Sequence, residues 1–339
     1  MKLGRTLPPR SWVEPDTHFI TAMASDWYRG LVQLQDAFTQ ATVMFWSKRR
    51  VCHGHVPVTT GSISSPMGLG SDSKPVQVDL FGVPTYLADS MQFSLEYLCR
   101  LNAEGAYYLM PSFRGEANDS THLCQFLHSE AEIHGGLEDV LAVVEDYLRH
   151  VIGHLLSKQE DLIRAMAGDV SHLKQVLARE SAFERLTFDE AVALLGDDDS
   201  RSDEFNRYRT LTRNDERRLM EQVGQFIWVT HWDHLAVPFY QGFAHNGRSA
   251  LNADLLFGPG EVVGAGERHT SGDQVRAALK MHDVSEKGYE WYVDMKDLEP
   301  MATSGFGLGV ERFMMWLLRH DDIRDFQLLP RENGRNIVP

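Results

Sequence analysis

Apolar residues recur along this chain with two different periods. Leu31, Leu34, Phe38, Val43 and Phe45 supply much of the apolar face of a helix from about Trp27 to Trp46. Lys48, Arg49 and Arg50 follow, charges that suit a helix C-terminus. Leu137, Val140, Leu141, Val144, Leu148, Val151 and Leu155 predict a long amphipathic helix over 137–156. A shorter helix is expected from Ser90 to Arg100, opened by Asp89 or Ser90 as N-cap. Extended runs fill the intervals. They are 56–58, then 76–80 and 85–87 with Gly82 between them, 107–113 and 123–132 around a turn at 118–121, 226–230, a run holding Phe239 and Tyr240, and 253–257 with 261–264 around Gly258-Pro259-Gly260. Near the C-terminus the period switches. Gly305, Gly307 and Gly309 alternate along a strand, and from Val310 onward Phe313, Met314, Leu317 and Leu318 fall at helical spacing.

The segments without a period matter too. Residues 1 to about 17 are Pro-rich and irregular, an arm rather than an element. Residues 59–74 are rich in Gly and Ser and read as a mobile loop able to close over a site. Residues 196–203 form an acidic loop.

Composition narrows the class. With 43% hydrophobic and 24% charged residues the 339-residue chain reads as globular, and no apolar run approaches the roughly 18 residues of a membrane span. The start has no signal-peptide core, and Cys52, Cys99 and Cys124 have neither metal nor disulfide spacing, so a reducing cytoplasm is the expected location. The net charge of −15 argues against a broad nucleic-acid surface, and the basic clusters at 48–50 and 213–218 read as solvated helix faces.

Three groups of residues carry candidate chemistry. Arg114, Glu116, His122 and Phe126 lie along one hairpin, where guanidinium and imidazole suit a polyphosphate and the ring suits a purine. The other reading is a surface hairpin with ordinary ion pairs. Asp254 and Glu261 face each other across a tight turn, either as Mg²⁺ ligands or as an exposed acidic pair, with Arg268 seven residues further on. His231-Trp232-Asp233-His234 has metal-like spacing but no further ligand set, so a core role is favoured, and the same holds for His53 and His55.

Taken together, the motifs resemble a known family. Phe113-Arg-Gly-Glu116 with Thr121-His-Leu-Cys-Gln-Phe126 and Glu130-Ala-Glu132 is similar to motif 2 of class II aminoacyl-tRNA synthetases. Gly305-Phe-Gly-Leu-Gly-Val-Glu-Arg312, with Ile323-Arg-Asp325 and Leu329-Pro-Arg331, is similar to motif 3 of the aspartyl/asparaginyl branch. Thr187–Ala191, Pro238–Tyr240, Glu261–Arg268 and Tyr289–Asp294 follow the archaeal-type asparaginyl pattern. The resemblance implies an α+β fold, an antiparallel sheet flanked by helices, over residues 27–339 behind an arm of residues 1–26. It implies a homodimer formed through the first long helix and the strand ending near Pro57.

The implied reaction is attack of a carboxylate on the α-phosphorus of ATP, giving an acyl-adenylate. Arg114 would hold the α-phosphate, with Glu116 near the adenine. Phe126 and Arg312 would cover the two adenine faces, Arg312 also reaching the γ-phosphate and His122 the tail. Asp254 and Glu261 would hold Mg²⁺. Ser90, Gln92 and Glu130 would surround the ammonium of the amino acid, and Arg268 would face its side chain.

Departures from the pattern shape the expected acceptor. The family's anticodon-binding domain takes roughly a hundred residues ahead of the catalytic domain, and only residues 1–26 precede the first long helix here. Leu95 stands where aspartyl enzymes place a Lys, Gln125 replaces a Glu, and Ala302-Thr303 replaces a Pro-His pair. The stretch from Ser62 to Gly70 lacks the usual Glu-Gly-Gly, and with Ser90-Met91 it resembles the asparagine synthetase related to asparaginyl-tRNA synthetase. The expectation is therefore an ATP-dependent, AMP-forming ligase that passes an aspartate-like acyl group to ammonia or a small amine, without tRNA as a partner. A truncated synthetase paralogue that acylates tRNA or a carrier, and an inactive regulatory paralogue, stand as alternatives.

Overall fold

The computed structural model describes residues 5–64, 74–196, 202 and 207–338. In chain order, α1 (His18–Ala24) and α2 (Asp26–Lys48) are followed by the short strands β1 (Cys52–His53) and β2 (Thr59–Thr60). Next come β3 (Val76–Leu80), β4 (Val83–Leu87), α3 (Gln92–Leu101), β5 (Ala106–Phe113) and β6 (Gln125–His134). A helical stretch follows: α4 (Leu137–Ala167), α5 (Ser171–Ala178), β7 (Glu184–Thr187), α6 (Phe188–Leu195) and α7 (Arg213–Gln222). The last part holds β8 (Ile227–Thr230), β9 (Asn252–Phe257), β10 (Gly260–Glu267), α8 (Gly272–Met281), α9 (Glu290–Leu298), β11 (Thr303–Gly309) and α10 (Val310–Leu318).

Among the described residues one sheet has the order β1-β5-β6-β11-β10-β9-β8-β7, and a small one has the order β2-β4-β3. Only the outermost pairs of the large sheet, β1 with β5 and β7 with β8, are parallel. One face is covered by α2, α4 and α10, whose Leu34, Phe38, Trp46, Tyr147, Val151, Phe313 and Leu317 pack with Phe306 and Leu308 of β11. The other face carries the polar cavity. This division follows from the period of two in β11: Phe306 and Leu308 turn to the helices, Gly305 and Gly307 to the cavity. A Cβ on Gly305 would collide with the Glu132 carboxylate, the Gln92 amide and the carbonyl of Ala131. The glycines therefore make room first for the protein's own buried side chains.

Several expectations are revised. No strand forms at 56–58; pairing occurs on either side, at β1 and β2, because Pro57 has no N–H to give a ladder. Phe239 and Tyr240 are buried in a turn, packed with Phe93, Tyr289 and Tyr292 rather than in a strand. Val43 is exposed on α2. The long helix continues past Leu156 to Ala167, with a break at Gln159. Residues 5–17 are held in place: the Trp12 indole donates to Asp325 (2.9 Å), His18 bonds the Leu328 carbonyl (2.9 Å) and Arg335 pairs with Asp16. The loop expected over 59–74, and with it the Ser62–Gly70 stretch, lies outside the described residues from 65 to 73. Most of the acidic loop at 196–203 does too.

Candidate active site

The site is built along β6. Phe126, His128, Glu130 and Glu132 share one face of this strand by parity and line or adjoin a cavity of about 590 Å³. Ser90, Gln92, Arg114, Glu116, His122, Asp254, Glu261, Arg268 and Arg312 line it as well. The structure thus brings together all eleven side chains singled out from the sequence, from seven separate stretches of chain.

One end of the cavity is cationic. Arg114 sits over the Phe126 ring, 5.3 Å from its centroid. Arg312 donates to the Glu261 carbonyl (2.7 Å) and lies 4.0 Å from the Glu261 carboxylate. Burial pulls the Arg312 guanidinium below the usual range; Glu261 opposes this, and the neighbouring Arg114 adds to it. A half-buried cation only partly answered by carboxylates is what a phosphate completes. Arg114 Nε and Glu116 Oε2 are buried with no hydrogen-bond partner, and such atoms call for one. His122 lies at the mouth, within 3.2 Å of Asp119 and 2.6 Å of Arg213. Burial holds its imidazole below the usual value, with Arg312 and Arg213 adding to the effect against Asp119.

Beside these cations, Asp254 and Glu261 approach each other across Gly264. Glu216 of α7 joins them, accepting the Glu261 N–H (3.3 Å). Burial, then Glu261 and Glu216, push the Asp254 carboxyl well up. Burial, then Glu261, raise Glu216 to about 7. Crowded carboxylates of this kind fit a hard divalent cation. Among the described residues no three such groups are gathered tightly enough to hold a metal by themselves. A Mg²⁺ here would take two protein carboxylates and complete its shell with phosphate oxygens and water, which is how this ion is usually held.

The other end is charge-compensated. Glu130 accepts from Ser90 Oγ (2.6 Å) and from the Tyr108 hydroxyl, and lies 3.0 Å from His128 Nδ1. Burial alone would raise its pKa, but the neighbouring His128 and these hydrogen bonds outweigh burial and hold the carboxylate low. Arg268 is buried and pairs with the fully buried Glu132 through Nε and Nη2 (3.2 Å each), and Nη1 donates to Gln241 (2.9 Å). Gln92 donates to the same Glu132. Behind them Lys296 pairs with Glu96, also fully buried, and Tyr292 donates to Glu96 (2.6 Å).

Sequence reasoning missed Glu132, His128, Glu216, Gln241 and Arg213 as site residues. Only the parity of Glu130 and Glu132 with Phe126 signals the first two. Arg213 and Glu216 sit on α7, read from the sequence as a solvated face. The His231–His234 motif does not form a metal site: His234 is buried against His282 (2.9 Å) and the Gln241 carbonyl (2.8 Å).

The antiparallel sheet with glycines on its cavity side, the nucleotide-sized pocket and the paired arginines define a class II synthetase catalytic fold. Residues 18–333 match the family of class II tRNA synthetases for D, K and N, and the chain belongs to it. It is similar to the asparagine–tRNA ligases of Koribacter versatilis (27% identical over 276 residues, 79% of this chain and 62% of that protein) and Pyrococcus abyssi (31% over 260 residues, 75% and 58%). Among solved structures it is similar to asparaginyl-tRNA synthetase from Pyrococcus horikoshii complexed with asparaginyl-adenylate, with a TM-score of 0.82 at 25% identity, covering 93% of this chain and 71% of that one. The Entamoeba histolytica asparaginyl-tRNA synthetase with the same adenylate also gives 0.82 at 25% identity, over 96% and 71%. The chain spans about three-fifths of the length of these curated relatives.

These relatives correct one expectation. The acidic balance is one ground for expecting tRNA to be an unlikely partner, yet the relatives are tRNA ligases. Net charge is a sum over the whole chain and does not describe a local surface. No helix among the described residues is long and apolar enough to cross a membrane.

Proposed function

We propose that this chain activates asparagine with ATP and transfers the asparaginyl group to tRNA. The observation that carries the reading is the single face of β6, along which a cationic end and a charge-compensated end share one cavity. In this reading Arg114 holds the α-phosphate while the amino-acid carboxylate attacks it. Glu116 lies near the adenine, and Phe126 and Arg312 cover its two faces. Arg312 and His122 bind the polyphosphate tail. The reaction needs positioned cations rather than a protein nucleophile, since the negative charge to be stabilised is on phosphoryl oxygens. Mg²⁺, held by Asp254 and Glu261, would neutralise further charge on those oxygens. Glu130, oriented by Ser90, takes the ammonium group, with Gln92 beside it.

The substrate side chain meets Arg268. Of the five N–H groups of its guanidinium, three already serve Glu132 and Gln241, which leaves two, and Glu132 cancels its charge. A neutral amide can accept from those two N–H groups without adding net charge. A carboxylate would bring an uncompensated negative charge towards Glu132. This favours asparagine over aspartate, in line with the adenylate in the similar structures. The exposed Val32, Val43 and Met44 of α2 and Ile20 and Met23 of α1 support a homodimer built on this surface.

The test is ATP–pyrophosphate exchange scanned over amino acids, followed by acylation of tRNA. Asparagine should support exchange best and should appear on tRNA. Absence of asparagine-dependent exchange would refute the reading.

A further inference from the structure

We propose that His128 is the group that accepts the proton of the incoming hydroxyl when the acyl group is transferred. The assignment rests on the activity proposed above and adds a residue to its second step. His128 stands on β6 between Phe126 and Glu130, and alternate residues of a strand are roughly 6.6 Å apart. The strip therefore runs from the ring at the nucleotide end to the carboxylate at the amino-acid end, with the imidazole at their junction. An acyl-adenylate laid along it has its acyl–phosphate bond at that junction. The residue paired with His128 on β11 is Gly309, where even an added Cβ would meet nothing closer than Arg312 at 3.8 Å. No side chain stands opposite the ring on β11, and His128 lines the cavity.

The imidazole is also oriented. Nδ1 lies 3.0 Å from Glu130 Oε1 and 2.8 Å from Ser112 Oγ. The Phe126 ring meets it edge-on, with centroids 4.7 Å apart and planes at 88°. A carboxylate beside Nδ1 fixes the proton on that nitrogen and leaves the lone pair on Nε2. Nε2 has no hydrogen-bond partner among the described residues, and His128 lines the cavity.

The hydroxyl oxygen of the acceptor bonds to the acyl carbon, and its proton passes to His128 Nε2. The bond between that carbon and the phosphate oxygen breaks, and AMP leaves with the electron pair. His128 then returns the proton to water, and Glu130 stabilises the imidazolium in the interval.

The experiment separates the two half-reactions of the full chain. His128→Gln keeps a donor for Glu130 but removes the base, and His128→Ala opens the site to added imidazole. His128 also braces Glu130, so asparagine-dependent exchange is expected to weaken in both variants, through the KM for asparagine, but far less than transfer does. Single-turnover transfer from preformed adenylate to tRNA should fall by roughly 10²–10⁴-fold, the usual range for general acid–base groups, and imidazole should restore it in His128→Ala. A parallel loss of exchange and transfer would mean that His128 only holds Glu130, and unchanged transfer would mean that it takes no part; either overturns the assignment. A wild-type chain without asparagine-dependent exchange sinks the activity and this assignment together, whereas a normal wild type with transfer insensitive to these changes sinks this assignment alone.

Discussion

Glu132→Gln tests the charge logic of the amino-acid end. The substitution is nearly isosteric, so it fits the space left by Gly305, and its amide oxygen can still accept from Arg268 and Gln92. What it removes is the charge opposite a buried guanidinium, which Glu132 and the nearby Glu96 hold well above the usual range against burial. Removing one partner of a buried pair typically costs about 3–5 kcal/mol, and the retained hydrogen bonds put this variant at the lower end. A chain of this size should then lose roughly 5–10 °C in melting temperature. The same change should welcome a carboxylate, because the cation is now unanswered. One charged hydrogen bond is worth about 1.5–3 kcal/mol, so the ratio of asparagine to aspartate kcat/KM in exchange should fall by roughly 10–100-fold. Aspartate should raise the melting temperature of the variant more than that of the wild type. A folded variant that keeps the wild-type ratio within about threefold would refute the compensation argument.

Arg312→Ala should cut exchange by roughly 10²–10³-fold, the scale for losing a preorganised electrostatic donor, while circular dichroism shows a retained fold. Gly305→Ala should lower the urea midpoint by an amount worth at least about 1–3 kcal/mol, since the new methyl meets a backbone carbonyl and two buried side chains. His234 and His282 are held at about 4 and His269 at about 3, burial being the main cause in each. Their folded pKa values lie below the unfolded value near 6.5, so the stability they contribute is complete above pH 6.5 and is lost as pH falls towards 4. Each should cost about 2 kcal/mol between pH 8 and pH 5; equal urea midpoints at the two pH values would contradict this.

The sequence by itself determined the local pieces of this protein. The change of period at Val310 marks where β11 ends and α10 begins, and the Gly258–Gly260 turn marks the β9–β10 hairpin. Alternation along β6 puts Phe126, Glu130 and Glu132 on one face whatever the rest of the chain does. These features follow from backbone geometry acting over a few residues. The motif series, read as a resemblance, added the assembly of eleven side chains into one cavity.

Only the tertiary structure decided which groups answer one another. Arg268 meets Glu132 across 136 positions and Lys296 meets Glu96 across 200, because β11 inserts between β6 and β10 and Phe93 of α3 packs against Tyr292 of α9. Glu216 reaches the Asp254–Glu261 pair from a helix whose own pattern says only that it is charged. Val43 fits the apolar stripe of α2, yet it faces outward, since the sheet and α4 cover only part of that helix. Charge compensation and burial depend on distances between remote segments, and periodicity carries no information about those distances.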